Sequence, residues 1–457
     1  MRSTRDKGEM LTVEMQIAER SRKYTGEALT NLHQYIDVEF LHECFQMLNK
    51  QSASGVDGER WRDYDRQRAE RIPKLLAAFK SGTYQAPNIR RVYIPKGDGK
   101  QQRPLGLPTI EDKILQTAVN RVLSPIYEQE FYASSYGFRP GKSQHQALEE
   151  LFKEASFKGK RYIIDADMKD YFGTISHQWL RTFLDERIKD GVIRKMMDKW
   201  LKAGILEEGQ VTYPKDGTPQ GGTISPLLSN IYLHYVLEMW FKEQIQPLLK
   251  GGSFVIRYAD DFLMGFSNKE DALRVMKVLP KRLAKYGLTL NPEKTRLVNL
   301  DEDQEGEEKT FDFLGFTHYM GNSLKGKRIL KRKTSKKKLR ISLIRMNNWM
   351  RDNRHRSVAE IVKDLNRKLR GYYEYYGITF NSRQINAYYD RVVKLLQKWL
   401  NRRGGKKRMS WDKYLLLVEK WVPLLKPKIY HSSLLAKPKT EEPYAGKPLV
   451  RVCGGAV

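Results

Sequence analysis

The stretch SFVIRYADDFLMGF, residues 253–266, decides how the rest of the chain is read. Apolar arms flank the adjacent Asp260 and Asp261, the pattern of a hairpin whose turn carries carboxylates. Ordinary acidic surface turns are seldom enclosed by arms such as VIRY and FLMGF. Two neighbouring carboxylates at the end of buried strands are costly unless cations neutralise them. A second apolar run, RYIIDADMKDYF (161–172), ends in the same way on Asp165 and Asp167. If the two strands bring Asp167 and Asp260 together, they form an all-oxygen site suited to Mg2+. Two such ions about 3.5–4 Å apart would activate an attacking hydroxyl and stabilise a leaving oxygen in in-line phosphoryl transfer.

Outward from these acids, the 457 residues suffice for two to four domains, and 40% hydrophobic residues suffice for real cores. No apolar run approaches the ~18–20 residues of a membrane span, so a soluble protein without a membrane partner is expected. The opening MRSTRDKGEMLTVEMQIAER lacks an apolar core and reads as neither signal nor transit peptide. Two cysteines, Cys44 and Cys453, exclude a disulfide framework or a Cys-pair zinc site and fit a reducing, cytoplasmic location. The balance of 83 Lys and Arg against 54 Asp and Glu leaves +29, which calls for a polyanion, most simply nucleic acid. Lys325–Arg408 alone carries 27 bases against five acids, a net +22, leaving +7 for everything else. The charge is therefore an electrostatic platform attached to a nearly balanced body.

Local patterns give a coarse map. Residues 1–85 read as mostly helical, and NIRRVYIPKGDGKQQRPLGLPT (88–109) reads as a strand, a Gly-Asp-Gly turn and a returning strand. PLLSNIYLHYVLEMWFKEQI (226–245) is one long helix, LTLNPEKTRLVNL a strand and DEDQEGEEK (301–309) a solvated acidic loop. The basic region reads as helices to about residue 400, and NRRGGKKR (401–408) as a hinge.

In order along the chain stand SGVDG, YIPKGDGKQQRPLGLPTIEDKILQ, SSYGFRPGKSQHQAL, DADMKDYFGTISH, GTPQGGTISPLLSNIYLH, RYADDF, LTLNPEKT and FLGF, with GYYEYYG in the basic region. This series resembles the group II intron-encoded reverse transcriptases and maturases over roughly residues 50–320. The resemblance implies an α+β, right-hand polymerase with fingers, palm and thumb, followed by a mostly helical basic maturase/thumb region. Its implied segments are an N-terminal helical extension of the fingers (1–85), fingers and palm (86–320), a basic thumb/maturase region (321–410) and a short tail that is a candidate DNA-binding segment (411–457). After residue 410 only His431 and Cys453 could serve an HNH endonuclease, so the form without that domain is expected.

The same resemblance assigns roles to residues. Asp167, Asp260 and Asp261 match the catalytic, metal-binding acids, while Asp165 is left a supporting role. Lys96 and Arg103 flank the fingers turn, and Arg139, Phe172, Gln220 and Lys294 complete the implied nucleotide contacts. Phe172 would exclude a ribose 2′-hydroxyl, and Lys294 would neutralise or protonate pyrophosphate; Gly221 and Gly222 would let backbone approach the substrate. From the charge run, Lys331, Arg332, Lys333, Lys336, Lys337, Lys338 and Arg340 are expected to contact RNA, whereas many interleaved aromatics should be core. The implied partners are group II intron RNA, an RNA template with a DNA primer, dNTPs and target DNA, with two Mg2+ ions as cofactor. The implied function is RNA-directed DNA synthesis with help to splicing and to intron mobility by target-primed reverse transcription. Two alternatives are a free-standing enzyme of DNA repair or phage defence, and a non-catalytic RNA-binding splicing factor.

Overall fold

The computed structural model describes residues 12–96, 101–218, 221–301, 309–323, 325–403 and 408–433. Its eleven described strands are β1 (Ile89–Lys96), β2 (Gln101–Leu107), β3 (Tyr162–Ala166), β4 (Ile205–Glu207), β5 (Gln210–Thr212), β6 (Ser253–Tyr258), β7 (Asp261–Phe266), β8 (Arg296–Asn299), β9 (Phe311–Phe313), β10 (Phe316–Asn322) and β11 (Arg328–Thr334). They form three sheets with helices between and after them, an α+β arrangement.

The central sheet runs β6-β7-β3-β8, all antiparallel. Its strands read as almost unbroken apolar runs because both faces are covered. Ile164, Ala166, Val255, Phe262 and Met264 enter one core with Ala272, Val275, Leu279 and Leu283 of the Lys269–Lys285 helix. Alternate residues Ile163, Phe254, Ile256, Leu263 and Val298 enter a second core with the Gln144–Phe157 helix. A helix from Ser225 continues past Leu233 with i→i+5 hydrogen bonding to Ile245, which makes 226–245 the single rod expected.

The sheet nearer the N-terminus runs β2-β1-β4-β5, with β1 and β2 as an antiparallel hairpin from Arg90↔Leu107 to Lys96↔Gln101. It leads into the Ile110–Tyr127 helix, capped by the Thr109 hydroxyl and buried along most of its length. Inside that helix Asp112 is 1% exposed and accepts hydrogen bonds from Trp200 Nε1 (2.9 Å) and the Tyr84 hydroxyl (3.2 Å).

The third sheet, β11-β10-β9, corrects the expectation of helix from 321 onward. RILKRKT is a strand: Leu330, Arg332 and Thr334 point inward while Lys331 and Lys333 stay half-exposed. The period-two signal was masked because one inward position is an arginine. The β10–β11 hairpin also spans residue 320, where two segments were expected to meet. Beyond it, the Lys336–Asn353, Val358–Tyr376 and Ser382–Leu400 helices enclose a separate core. Tyr372 and Tyr388 stack there at 3.7 Å between centroids, so these aromatics of the basic region are packing residues. Among the described residues no helix is long and apolar enough to cross a membrane.

Burial pushes the Asp112 carboxyl up to about 7, against the hydrogen bonds from Trp200 and Tyr84. The folded state then holds a proton that the unfolded chain has released, so this residue makes stability fall between about pH 4 and pH 7. Asp112→Asn keeps an acceptor oxygen without that penalty. Urea unfolding at pH 4.5 and pH 8 should show the variant gaining on the wild type by on the order of 2 kcal/mol at the higher pH. A pH-independent difference would contradict this.

Candidate active site at the carboxylate end of the central sheet

Register brings the predicted acids to one corner. Tyr258 pairs with Asp261, which leaves Ala259 and Asp260 as the β6–β7 turn. Next to β7, β3 pairs Ala166 with Phe262, so Asp167 emerges beside Asp261. Asp260 is half-buried and Asp261 opens to solvent within this corner. The Asp261 carboxyl is pushed up to about 7 by the protein packed around it and then by the charges of Asp260, Asp167 and Asp165. Lys338, in the first turn of the Lys336–Asn353 helix, opposes that rise.

Asp167 is fixed from the other side. Its carbonyl accepts the Asn291 N–H at 2.8 Å, and its carboxylate lies 2.9 Å from Lys294 Nζ. Only residues 296–299 of the run read as one strand are strand; NPEKT is the turn that delivers Lys294. Asp165 pairs with Arg296 at 3.5 Å, and burial raises its carboxyl to about 6 against that partner. Among the described residues no three His, Cys, Asp or Glu side chains converge as a ready metal cage. The lysine beside Asp167 supplies positive charge there instead. The donor set nevertheless fits a hard divalent cation: all oxygen, with Asp167, Asp260 and Asp261 brought to one corner.

The turn itself is held by residues that the sequence reading did not single out. Ala259 adopts a left-handed φ of 58°, uncommon for a residue with a side chain. Fully buried Arg257 donates to its carbonyl at 3.1 Å, to Asn230 Oδ1 at 2.8 Å and to Ser135 Oγ at 2.6 Å. The same guanidinium pairs with fully buried Glu238 at 2.9 Å. Burial alone would raise Glu238, but Arg257 and the His234 ring hold it well below the usual carboxylate range. Asn230 also donates to the Gly137 carbonyl at 2.9 Å, and Gly137 lies directly against the turn. A charged residue inside the apolar arm FVIRY was the available signal, since a lone buried charge demands a partner.

The remaining expected contacts divide. Arg139 is corrected: it is buried, bonded to Glu128 and to the Tyr132 and Ser135 carbonyls, and packed over Phe131. Its donors serve the loop that supports Arg257 rather than an incoming nucleotide. Arg332 is corrected too, being 1% exposed, bonded to the Leu148 carbonyl and stacked on Phe152. Burial lowers its pKa to about 10, and RNA cannot reach it there. Phe172 is buried in the core, with its carbonyl accepting from Thr218 N–H at 2.8 Å. Gln220, two residues further on, lies outside the described residues. Gly221 has φ 118° and meets the Gly106 carbonyl, so its close approach is to β2 rather than demonstrably to substrate. Lys96 ends β1, and Arg103 is exposed on β2 opposite Ile94. Lys336, Lys337, Lys338 and Arg340 are exposed, with Lys331 and Lys333 half-exposed.

A three-layered palm with paired acids at a hairpin turn is the architecture of a template-directed polymerase. Residues 94–318 match the family described as reverse transcriptase (RNA-dependent DNA polymerase), and residues 328–415 match the maturase-specific domain of group II introns. The chain is 38% identical to the group II intron-encoded protein LtrA of Lactococcus lactis subsp. cremoris over 231 residues, 50% of this chain and 38% of that protein. It is 33% identical to protein YkfC of Escherichia coli (strain K12) over 281 residues, 54% of this chain and 73% of that protein. An uncharacterized 91 kDa protein in the cob intron of Schizosaccharomyces pombe is 40% identical over 167 residues, 36% of this chain and 20% of that protein. The chain belongs to the group II intron-type reverse transcriptases with a maturase domain. Its match covers well under half the length of LtrA.

Adding a Cβ at Gly137 would place it 2.2 Å from Ala259 N, backbone against backbone. Gly137→Ala should therefore displace the carboxylate turn and lower stability by about 1–3 kcal/mol. Gly371, inside the Val358–Tyr376 helix with open space around it, is the control. Gly371→Ala should be neutral or stabilising by up to about 1 kcal/mol. Thermal unfolding of the two variants checks the order, and equal midpoints would refute it.

Proposed function

We propose that the chain is an RNA-directed DNA polymerase that also binds a group II intron RNA and assists its splicing and mobility. The observation that carries the reading is the meeting of Asp167, Asp260 and Asp261 at one corner of the central sheet, with Lys294 on Asp167. Asp167 and Asp260 would hold two Mg2+ ions, with Asp261 as a weaker ligand. When bound, those ions supply charge for activating a primer 3′-hydroxyl and stabilising a leaving pyrophosphate.

The chain's own residues do the rest. The Arg257 network keeps the Asp260 turn in one conformation, so the site costs little to organise when substrate arrives. Lys294, which pairs with Asp167 at 2.9 Å, would neutralise the pyrophosphate. Lys96, Arg103 and Gln220 are our candidates for triphosphate and nucleotide contacts. Phe172 would select dNTPs by excluding the 2′-hydroxyl. Intron RNA, an RNA template with its DNA primer, and target DNA are the proposed partners, and a cytoplasmic setting goes with them. Splicing help would be RNA binding, the intron supplying its own chemistry.

Purified protein given poly(rA)/oligo(dT), dNTPs and Mg2+ should extend the primer, and Asp260→Ala should reduce extension by at least about a hundredfold. Wild type and variant alike making no product would overturn the polymerase reading.

A further inference from the structure

Phe172 sits in a short helical turn, Tyr171–Thr174, whose backbone is tied to a distant segment of the chain. Three hydrogen bonds make the tie. Gly217 N–H donates to the Ile175 carbonyl at 2.7 Å, and Thr218 N–H donates to the Phe172 carbonyl at 2.8 Å. The third comes from a side chain: His177 Nε2 lies 2.6 Å from the Gly217 carbonyl. A carbonyl can only accept, so Nε2 carries the proton. The Thr218 hydroxyl is buried with no partner among the described residues, so it adds nothing to the tie.

The fit around these bonds is close. Gly217 has φ 92°, and a Cβ there would stand 2.9 Å from the Phe172 carbonyl oxygen and 3.0 Å from that of Gly173. The segment therefore lies directly on the backbone that carries Phe172. Residues 213–218 have no helix or strand of their own to hold them. His177 does have one: it opens the His177–Asp185 helix, whose Leu180, Phe183 and Leu184 are anchored in the main core. Its ring is 5% exposed. Without the imidazole, the buried Gly217 carbonyl would lose its donor, a costly state that the segment relieves by shifting.

We propose that His177 is a positioning residue for sugar selection: by fixing the Gly217–Thr218 backbone, it sets how far Phe172 can give way to a ribose 2′-hydroxyl. The inference rests on the proposed function in taking Phe172 as the residue that excludes that hydroxyl. A steric gate discriminates only while its wall is rigid, because the rejected group is a single oxygen and a small displacement makes room for it. A phenyl ring cannot stiffen its own backbone. The stiffness comes from neighbours that bond to that backbone, and here they are Thr218 and, through Gly217, His177.

The test is ribose discrimination by the full chain on poly(rA)/oligo(dT) with Mg2+, read as the ratio of kcat/KM for UTP to that for dTTP. Phe172→Val, which shortens the wall itself, should raise the ratio strongly. His177→Leu should raise it by about tenfold, with KM for poly(rA)/oligo(dT) unchanged. His177→Gln, whose side-chain amide is long enough to donate at the Nε2 position, should discriminate as wild type does. Gly217→Ala, which presses on the Phe172 carbonyl directly, should raise the ratio while leaving the imidazole in place. If His177→Leu lowers both kcat/KM values alike, the proposal is overturned, since that is the mark of a residue that only stabilises the fold. His177→Gln proving as permissive as His177→Leu would overturn it too. An unchanged ratio in Phe172→Val removes the gate reading and the proposal with it. A raised ratio in Phe172→Val beside an unchanged one in His177→Leu sinks this proposal alone.

Discussion

One buried guanidinium holds the candidate site together. Arg257 is fully enclosed, and its four partners come from three separate segments: Glu238 and Asn230 on the long helical rod, Ser135 in the loop after Phe131, and the Ala259 carbonyl in the turn. Taking two charges out of water is expensive, and the attraction between them offsets that cost only with good geometry and further hydrogen bonds. Here those bonds are present. The cost is spent on a backbone conformation that Ala259 does not favour alone, which aims Asp260 out of the sheet. Arg139 supports the same arrangement from one layer out, since its bonds to Glu128 and to the Ser135 carbonyl fix the loop that touches Arg257.

The carboxylate corner was legible because its signal is local. Apolar arms around Asp260–Asp261, and a second arm ending at Asp167, specify strands, and strands that share a sheet must meet in register. The rest required knowledge of partners distant in sequence. Arg139 and Arg332 look like any other exposed bases in a basic protein, yet both are buried, because a carboxylate or a carbonyl 7 to 184 residues away is waiting for each. Nothing near RILKRKT indicates that Arg332 stands at an inward strand position. The aromatics of the basic region illustrate the converse: many were expected to be core, and Tyr372 packs on Tyr388 inside the bundle.

Charge is distributed on the same principle. The body carries a few acids at one corner, where Lys294 and Lys338 already temper them. The C-terminal bundle carries most of the +22, and its fold sorts those cations by direction rather than by position along the chain. The Lys336–Asn353 helix thereby presents Lys338 to the catalytic corner, and Lys336 and Arg340 to a groove shared with the Ser382–Leu400 helix. Counting charge along the sequence cannot distinguish these faces, whereas helical geometry can.

The central claim is that the Arg257–Glu238 pair exists to hold the turn rather than to stabilise the protein. Replacing both by apolar residues, Arg257→Met with Glu238→Leu, should leave global stability near that of the wild type, because neither charge is then left buried alone. Hydrogen–deuterium exchange over residues 254–262 of this double variant is the decisive measurement. Faster exchange confined to the turn, with protection elsewhere in the central sheet retained, is the predicted result. Exchange at the turn indistinguishable from wild type would contradict the account.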